Sequence, residues 1–314
     1  MSFREKLRTK KKNLKDSSVT TYLRNIKRLY KASGGEGEIP LKHTWINSKK
    51  LVAWYKEQAL GVRRHMSNAA VIALQVYGKS SKAWEKRQKS DIKEFDEHRN
   101  KRELSEKQKA KVPSKGFAAI KTAVKTMKKE LKHVLSDIST KSDLLRVQDL
   151  VILSLYSELP LRLDFATLKL ERGDGNSIFK SKRKPTGWTI ELKDFKTVSS
   201  LGPKKFRLNQ ANQRLLNKFI PAVKKLTDHG YFLTNKNNGK MSKQVLSKTL
   251  MRITKQKIGK SFSTQLIRIL YAMSNRGVIE SAKEVNEKLM HSSEQSLQYA
   301  KKEAEDDEKE TSKD

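Results

Sequence analysis

The chain has 314 residues, 36% of them hydrophobic, and 69 Lys and Arg against 34 Asp and Glu leave a formal charge of +35. An excess of that size disfavours a compact chain unless a polyanion screens it, so nucleic acid is the first partner to consider. The absence of an apolar run of ~18 residues excludes a membrane-spanning helix, and the absence of cysteine excludes disulfides and thiolate zinc sites, in keeping with an intracellular protein.

Residues 1–15 read as a basic arm closing on Arg8-Thr9-Lys10-Lys11-Lys12-Asn13-Leu14-Lys15. It has no apolar stretch of the kind a secretory signal needs, and is expected to be a disordered tail or a DNA-contacting or nuclear-import arm. Ser17 or Ser18 is placed to cap a helix in which Val19, Tyr22, Leu23, Ile26, Leu29 and Tyr30 recur at three and four. Gly34-Gly35-Glu36-Gly37 ends it. A second helix is expected over 48–60, on Leu51, Val52, Trp54, Tyr55 and Leu60. A third is expected over 66–77, on Ala69, Ala70, Ile72, Ala73, Leu74, Val76 and Tyr77. Residues 16–80 thus predict a small helical domain with basic faces. Apolar residues thin out over 81–112, which reads as a charged helix or linker, and Pro113 disfavours helix at the residue before it.

A second domain is expected over 113–301. Phe117, Ile120, Val124, Met127, Leu131, Val134 and Leu135 predict one helix; Leu144 to Leu159 predict another, ended by Pro160. Leu168–Leu170, Ser177–Phe179 and Trp188–Leu192 read as strands, separated by Gly173, Gly175 and Pro185-Thr186-Gly187. Further helices are expected over 209–227, 242–257, 263–275 and 281–290. Residues 302–314 are acidic and polar and read as a disordered tail. The expected fold class is mainly α with a small antiparallel β-sheet (α+β).

Near the end of the chain, Leu289-Met290-His291-Ser292-Ser293-Glu294-Gln295-Ser296-Leu297-Gln298-Tyr299 places a His and a Tyr eight residues apart. The stretch resembles the closing motif of the tyrosine recombinases of the phage-integrase type, roughly L-G-H-S-S-x-x-T-T-x-x-Y. Met290 stands for the Gly, and the spacing is one residue shorter. Other parts that this family places upstream occur in the same order. Leu159-Pro160-Leu161-Arg162-Leu163-Asp164-Phe165 follows an apolar run and supplies an Arg with a carboxylate two residues on, rather than the three of G-L-R-x-x-E. Its P-x-R-x-D-[FY] form resembles the branch found in large DNA viruses, virophages and related mobile elements. Lys196, in Lys193-Asp194-Phe195-Lys196-Thr197, follows the strand at 188–192, where the family has a hairpin-turn Lys. Thr264-Gln265-Leu266-Ile267-Arg268 resembles H-x-x-R, with Gln265 where His usually stands.

The resemblance covers about 115–301 and extends, in position and size, to a helical core-binding domain before the catalytic domain, which implies that residues 16–80 are DNA-binding. It implies a site-specific DNA recombinase or integrase that cleaves and rejoins strands through a 3′-phosphotyrosyl intermediate, without metal or ATP. Tyr299 would be the nucleophile, Arg162 and Arg268 would bind the phosphate with a further hydrogen bond from Gln265, His291 would be the one imidazole in the site, and Lys196 would be the general acid. The implied partner is double-stranded DNA, held between the two domains in a homotetrameric synapse, with no membrane. The setting would be intracellular, in a host nucleus or viral factory. A type IB topoisomerase-like enzyme and a catalytically decayed basic DNA-binding protein remain open as alternatives.

The chemistry accounts for the residue types. Attack on a phosphodiester builds charge on the non-bridging oxygens, which planar, permanently charged guanidiniums meet with paired hydrogen bonds. A phenol with a free pKa of ~10 needs clustered cations or a base to attack, and the leaving 5′-oxygen needs a proton, which a Lys can give. Gln265 can donate a hydrogen bond but cannot shuttle a proton. Each residue alone is ordinary in so basic a chain; the joint order carries the reading. No phosphate-binding G-x-x-x-x-G-K-[ST] loop is present. His43, His65, His98, His133 and His229 show no metal-ligand spacing, so no cofactor or metal is expected.

Overall fold

The basic N-terminus folds because Ser2 and Glu5 cap each other. The Ser2 hydroxyl accepts from the Glu5 backbone N–H, and the Glu5 carboxylate accepts from the Ser2 N–H at 2.7 Å. The resulting helix α1 (Phe3–Lys10) buries Phe3 and Leu7, four apart on one face. The expected tail over 1–15 is therefore largely a packed helix, whose short apolar pair is outnumbered by lysines. The structure is a computed structural model that describes residues 2–101, 104–181 and 186–288. The chain forms two units, Met1–Ser105 and Glu106–Asp314.

In the first unit α2 (Asp16–Ala32) buries Val19, Ile26 and Leu29. It starts ahead of Ser17 and Ser18, which lie inside it. Lys15 stands at the N-cap without a side-chain bond, and Asp16 in the first turn faces the positive end of the helix dipole. A 3-10 turn over Thr44–Asn47 leads to α3 (Lys49–Lys56), capped by Ser48. Leu60 opens α4 (Leu60–Val76) instead of closing α3, and α4 is buried on nearly every side from Met66 to Val76.

The charged stretch that read as a solvated helix or linker is α5 (Lys82–Asn100), which packs on α4. Trp84 is fully buried, its indole N–H donating to the Ile46 carbonyl at 3.0 Å. Burial of one such side chain contributes ~1.5–3 kcal/mol. Asp91 is also buried: it accepts from the Tyr55 hydroxyl and from the Ser67 hydroxyl at 2.8 Å, with Arg63 Nε at 3.3 Å. Trp84 and Asp91 are thus the buried side chains of a helix that is otherwise mostly charged, and Glu94 and Gln88 add bonds to Arg63 and Asn68 of α4.

The second unit contains α6 (Glu106–Lys109), α7 (Ala118–Glu130), α8 (Lys141–Glu158), α9 (Val198–Leu201), α10 (Gln210–Leu226), α11 (Lys243–Ile258), α12 (Thr264–Ser274) and α13 (Arg276–Lys288). The central helix is α8, buried continuously from Leu150 to Tyr156 and packed against α7, α10 and α11. Strands β1 (Ser177–Ser181), β2 (Gly187–Leu192) and β3 (Lys204–Arg207) form an antiparallel sheet in that order. The whole is mainly α with a small antiparallel sheet.

In the second unit further expectations differ, and the helix expected from 281 begins at Arg276. The strand over 168–170 is reduced to isolated bridges of Lys169 with Ser177 and Tyr231. Strand β3, Lys204-Lys205-Phe206-Arg207, went unpredicted because its outward face is cationic and its β-pairing comes from the register with β2. The helix drawn to Leu135 ends at Glu130, where the chain breaks into turns. Among the described residues, no helix is long and apolar enough to cross a membrane.

Candidate nucleic-acid active site

The turn that carries Arg162 is fixed from the inside. Pro160 cannot continue α8, and the chain turns out of it. Tyr156, buried in α8, donates its hydroxyl to the Arg162 carbonyl at 2.6 Å and meets Phe165 edge-on at 5.0 Å. Burial pushes the Tyr156 phenol up, so it remains a protonated donor. With its backbone held, the turn leaves the Arg162 side chain exposed.

Asp164 opens a 3-10 turn, Asp164–Thr167, and is buried behind Arg162. Burial holds its carboxyl above the usual carboxylate range. Lys243, Arg162 and its own backbone N–H pull the other way, while the negative charge of Asp194 adds to the rise. Asp164 therefore lies within the electrostatic reach of three groups from three segments: the turn itself, the chain after β2, and the first residue of α11.

Lys196 sits exposed in the connection between β2 and β3. The base of that connection is clamped by Asn176, which stands just before β1 and is buried. Asn176 Oδ1 accepts from the backbone N–H groups of Lys193 at 2.9 Å and Asp194 at 2.8 Å. Its Nδ2 donates to the Asp194 carbonyl at 2.7 Å and to the Thr167 hydroxyl oxygen at 2.8 Å. Phe195 packs against the core beside Lys196. A cleft of about 350 Å³ opens here, its lining including Thr167, Lys169, Asn176, Asp194, Tyr231 and Lys243.

Helix α12 is capped by Ser263, whose hydroxyl accepts from the Leu266 N–H at 3.2 Å. Leu266, Ile267 and Leu270 face the core, and Tyr271 meets Phe117 edge-on at 5.3 Å. Gln265 and Arg268, three apart, are both exposed and share the outer face. An Arg on so apolar a helix suggests a buried charge in need of a partner; the structure instead puts it in water, with the apolar residues on the opposite side.

Arg162 and the connection of Lys196 are thus joined through Thr167, Asn176 and Asp194, and Gln265 and Arg268 form a second pair on α12. No hydrogen bond or ion pair among the described residues links the two groups. His291 and Tyr299 lie outside the described residues, as does the acidic stretch 302–314.

Sequence reasoning passed over Asn176, Thr167, Tyr156 and Lys243. Their side chains act through placement, and a neutral amide before a strand carries no signal that separates it from an ordinary turn residue. Among the described residues, no group of three or more His, Cys, Asp and Glu side chains is placed to hold a metal ion. In comparison with known proteins, no family model and no curated protein matches the chain.

Proposed function

We propose that the protein is a DNA strand transferase of the tyrosine-recombinase type, a site-specific recombinase or integrase of a virus or mobile element. The observation that carries this reading is the turn after α8. Exposed Arg162 and the Lys196 connection, far apart in sequence, are held to one framework of hydrogen bonds in a strongly basic chain. The order of Arg162, Lys196, Arg268, His291 and Tyr299 along the chain supports it further.

In this reading the Tyr299 oxygen attacks a backbone phosphorus and gives up its proton to solvent water. The bond from phosphorus to the 5′-oxygen breaks, and Lys196 delivers a proton to that oxygen, leaving a 3′-phosphotyrosine and a free 5′-hydroxyl. Arg162, Arg268, Gln265 and His291 meet the charge that builds on the non-bridging oxygens. The phosphotyrosine conserves the bond energy, so a 5′-hydroxyl from another duplex reverses the step without ATP. Joining two duplexes this way calls for four protein copies on the DNA, and places the work wherever the target DNA lies, inside a cell.

The test uses purified full-length protein and nicked duplexes of randomised sequence, in which the cleaved fragment diffuses away and traps the covalent complex. We expect adduct at the 3′ end created by the break, lost in Tyr299→Phe while DNA binding is retained. No adduct with wild type, or undiminished adduct in Tyr299→Phe, overturns the reading. Relaxation of supercoiled DNA without strand exchange would favour a type IB topoisomerase-like enzyme. Binding without any adduct would favour a basic DNA-binding protein.

A further inference from the structure

We propose that Asn176 is a positioning residue that sets Lys196 against Arg162, an inference that rests on the recombinase reading above. Lys and Arg side chains at a surface hold no fixed place of their own. Their relative position comes from the backbone segments that carry them. Those segments are separated by more than thirty residues, and the Asn176 side chain bonds to both neighbourhoods.

Three of its four hydrogen bonds hold the backbone of Lys193 and Asp194, just ahead of Lys196. The fourth reaches Thr167, whose own hydroxyl donates to the Asp164 carbonyl at 2.7 Å and so closes the 3-10 turn beside Arg162. The Asn176 backbone carbonyl accepts from the Lys169 N–H at 3.0 Å, anchoring the amide to the segment that follows this turn. A carboxylate in its place has no donors and an alkyl group has neither donors nor acceptors, so an amide suits the position. The pattern also fits the chemistry. The ammonium must reach the leaving 5′-oxygen while the guanidinium holds non-bridging oxygens of the same phosphate. A misplacement of ~1 Å at such a site costs about a hundred-fold in rate.

The experiment compares Asn176→Ala, Thr167→Val and Lys196→Ala on two DNA substrates. One has the ordinary 5′-oxygen; the other has a 5′-bridging phosphorothiolate, whose sulfur leaves without a proton. On the oxygen substrate we expect Asn176→Ala to lose about a hundred-fold in single-turnover cleavage at saturating DNA. On the sulfur substrate the loss should shrink to a few-fold, as for Lys196→Ala, and a chain carrying both Asn176→Ala and Lys196→Ala should be no worse than Lys196→Ala alone. Equal losses on both substrates overturn the inference. Thr167→Val cuts the link to the Arg162 turn and leaves the three backbone bonds of Asn176, and should show the same substrate dependence if Asn176→Ala fails to fold.

Hydrogen exchange of the full chain supplies a readout that needs no DNA. Amides over 193–197 should exchange faster in Asn176→Ala while the α8 amides keep their protection. Unchanged exchange over 193–197 overturns the clamp even where cleavage falls. Faster exchange there with no adduct in wild type would leave the clamp standing and remove the recombinase reading, and with it the role assigned to the clamp.

Discussion

In the first unit the buried carboxylate of Asp91 meets two hydroxyls and a guanidinium, all from its own unit, and it joins α5 to α3 and α4. In the second unit the buried carboxylate of Asp164 has cations nearby, Lys243 and Arg162, but both side chains are exposed and burial still holds the acid above its usual range. The first arrangement is closed: its donors are committed to holding helices together. The second is open, since the cations around Asp164 keep hydrogen-bonding capacity for something that arrives from solvent. A carboxylate whose partners are committed and one whose cationic neighbours remain exposed are thus told apart by where those partners point.

The largest effect expected from this contrast is on cleavage. Arg162→Ala and Arg268→Ala should each reduce single-turnover cleavage by ~10²–10³-fold, or ~3–4 kcal/mol of barrier, by analogy with loss of an oxyanion-hole donor. On the proposed reading DNA affinity should fall little, because a net charge of +35 is distributed over the chain and would dominate binding, whereas these two groups would act on the transition state. A loss of binding as large as the loss of rate would show that the exposed cations of the second unit serve affinity alone.

A smaller effect, on stability, tests the closed arrangement. Asp91→Ala leaves the Tyr55 hydroxyl without its acceptor and Arg63 without one of its counter-charges, although Ser67 keeps the Arg63 carbonyl at 3.0 Å and Arg63 keeps Glu94 at 2.7 Å. Urea unfolding should show a loss of ~2–4 kcal/mol in the first unit, the usual range for stranding buried hydrogen-bonding groups. Tryptophan fluorescence reports it well, because Trp45, Trp54 and Trp84 lie in that unit and only Trp188 in the other. Cleavage per folded molecule should be unaltered. A loss under ~1 kcal/mol would mean that Trp84 and the apolar contacts of α4, rather than Asp91, hold α5 in place.

The same contrast explains what could be read from the sequence. Helices α2, α8, α10, α11 and α12 bury several apolar residues at helical spacing, and periodicity marks such faces directly. Helices α1 and α5 bury two residues each, Phe3 with Leu7 and Trp84 with Asp91, so charge hides the inward face from a count of apolar positions. Strand β3 is stabilised by its neighbour rather than by its own alternation. At the candidate site, Arg162, Lys196 and Arg268 are ordinary one by one in so basic a chain and are legible only through their order and the motifs around them. Asn176 could not, because its effect depends on Thr167 and Asp194, which the chain brings to it only on folding.

The smallest effect is expected from Asp164→Asn, and its sign decides whether the open arrangement is real. A free aspartic acid titrates near pH ~3.9. Below that pH the carboxyl is protonated in both folded and unfolded chains, and burial carries no charge penalty. As pH rises through the window above ~4, the unfolded chain ionises first while the folded one, with its raised pKa, holds its proton. Stability therefore falls through this window, and the loss is complete above the folded value. An Asn at the same place does not ionise and shows no such loss. Urea midpoints measured from about pH 4 to about pH 7 at constant ionic strength should thus move in favour of Asp164→Asn as pH rises. Loss of the attraction to Lys243 and Arg162 works against the variant, but burial is the larger influence on this carboxyl. A shift in favour of the wild type with rising pH would mean that those cations are bound to Asp164 as firmly as the donors of Asp91 are bound to theirs. Arg162 would then be committed to the fold, and it would not be free to meet a phosphate.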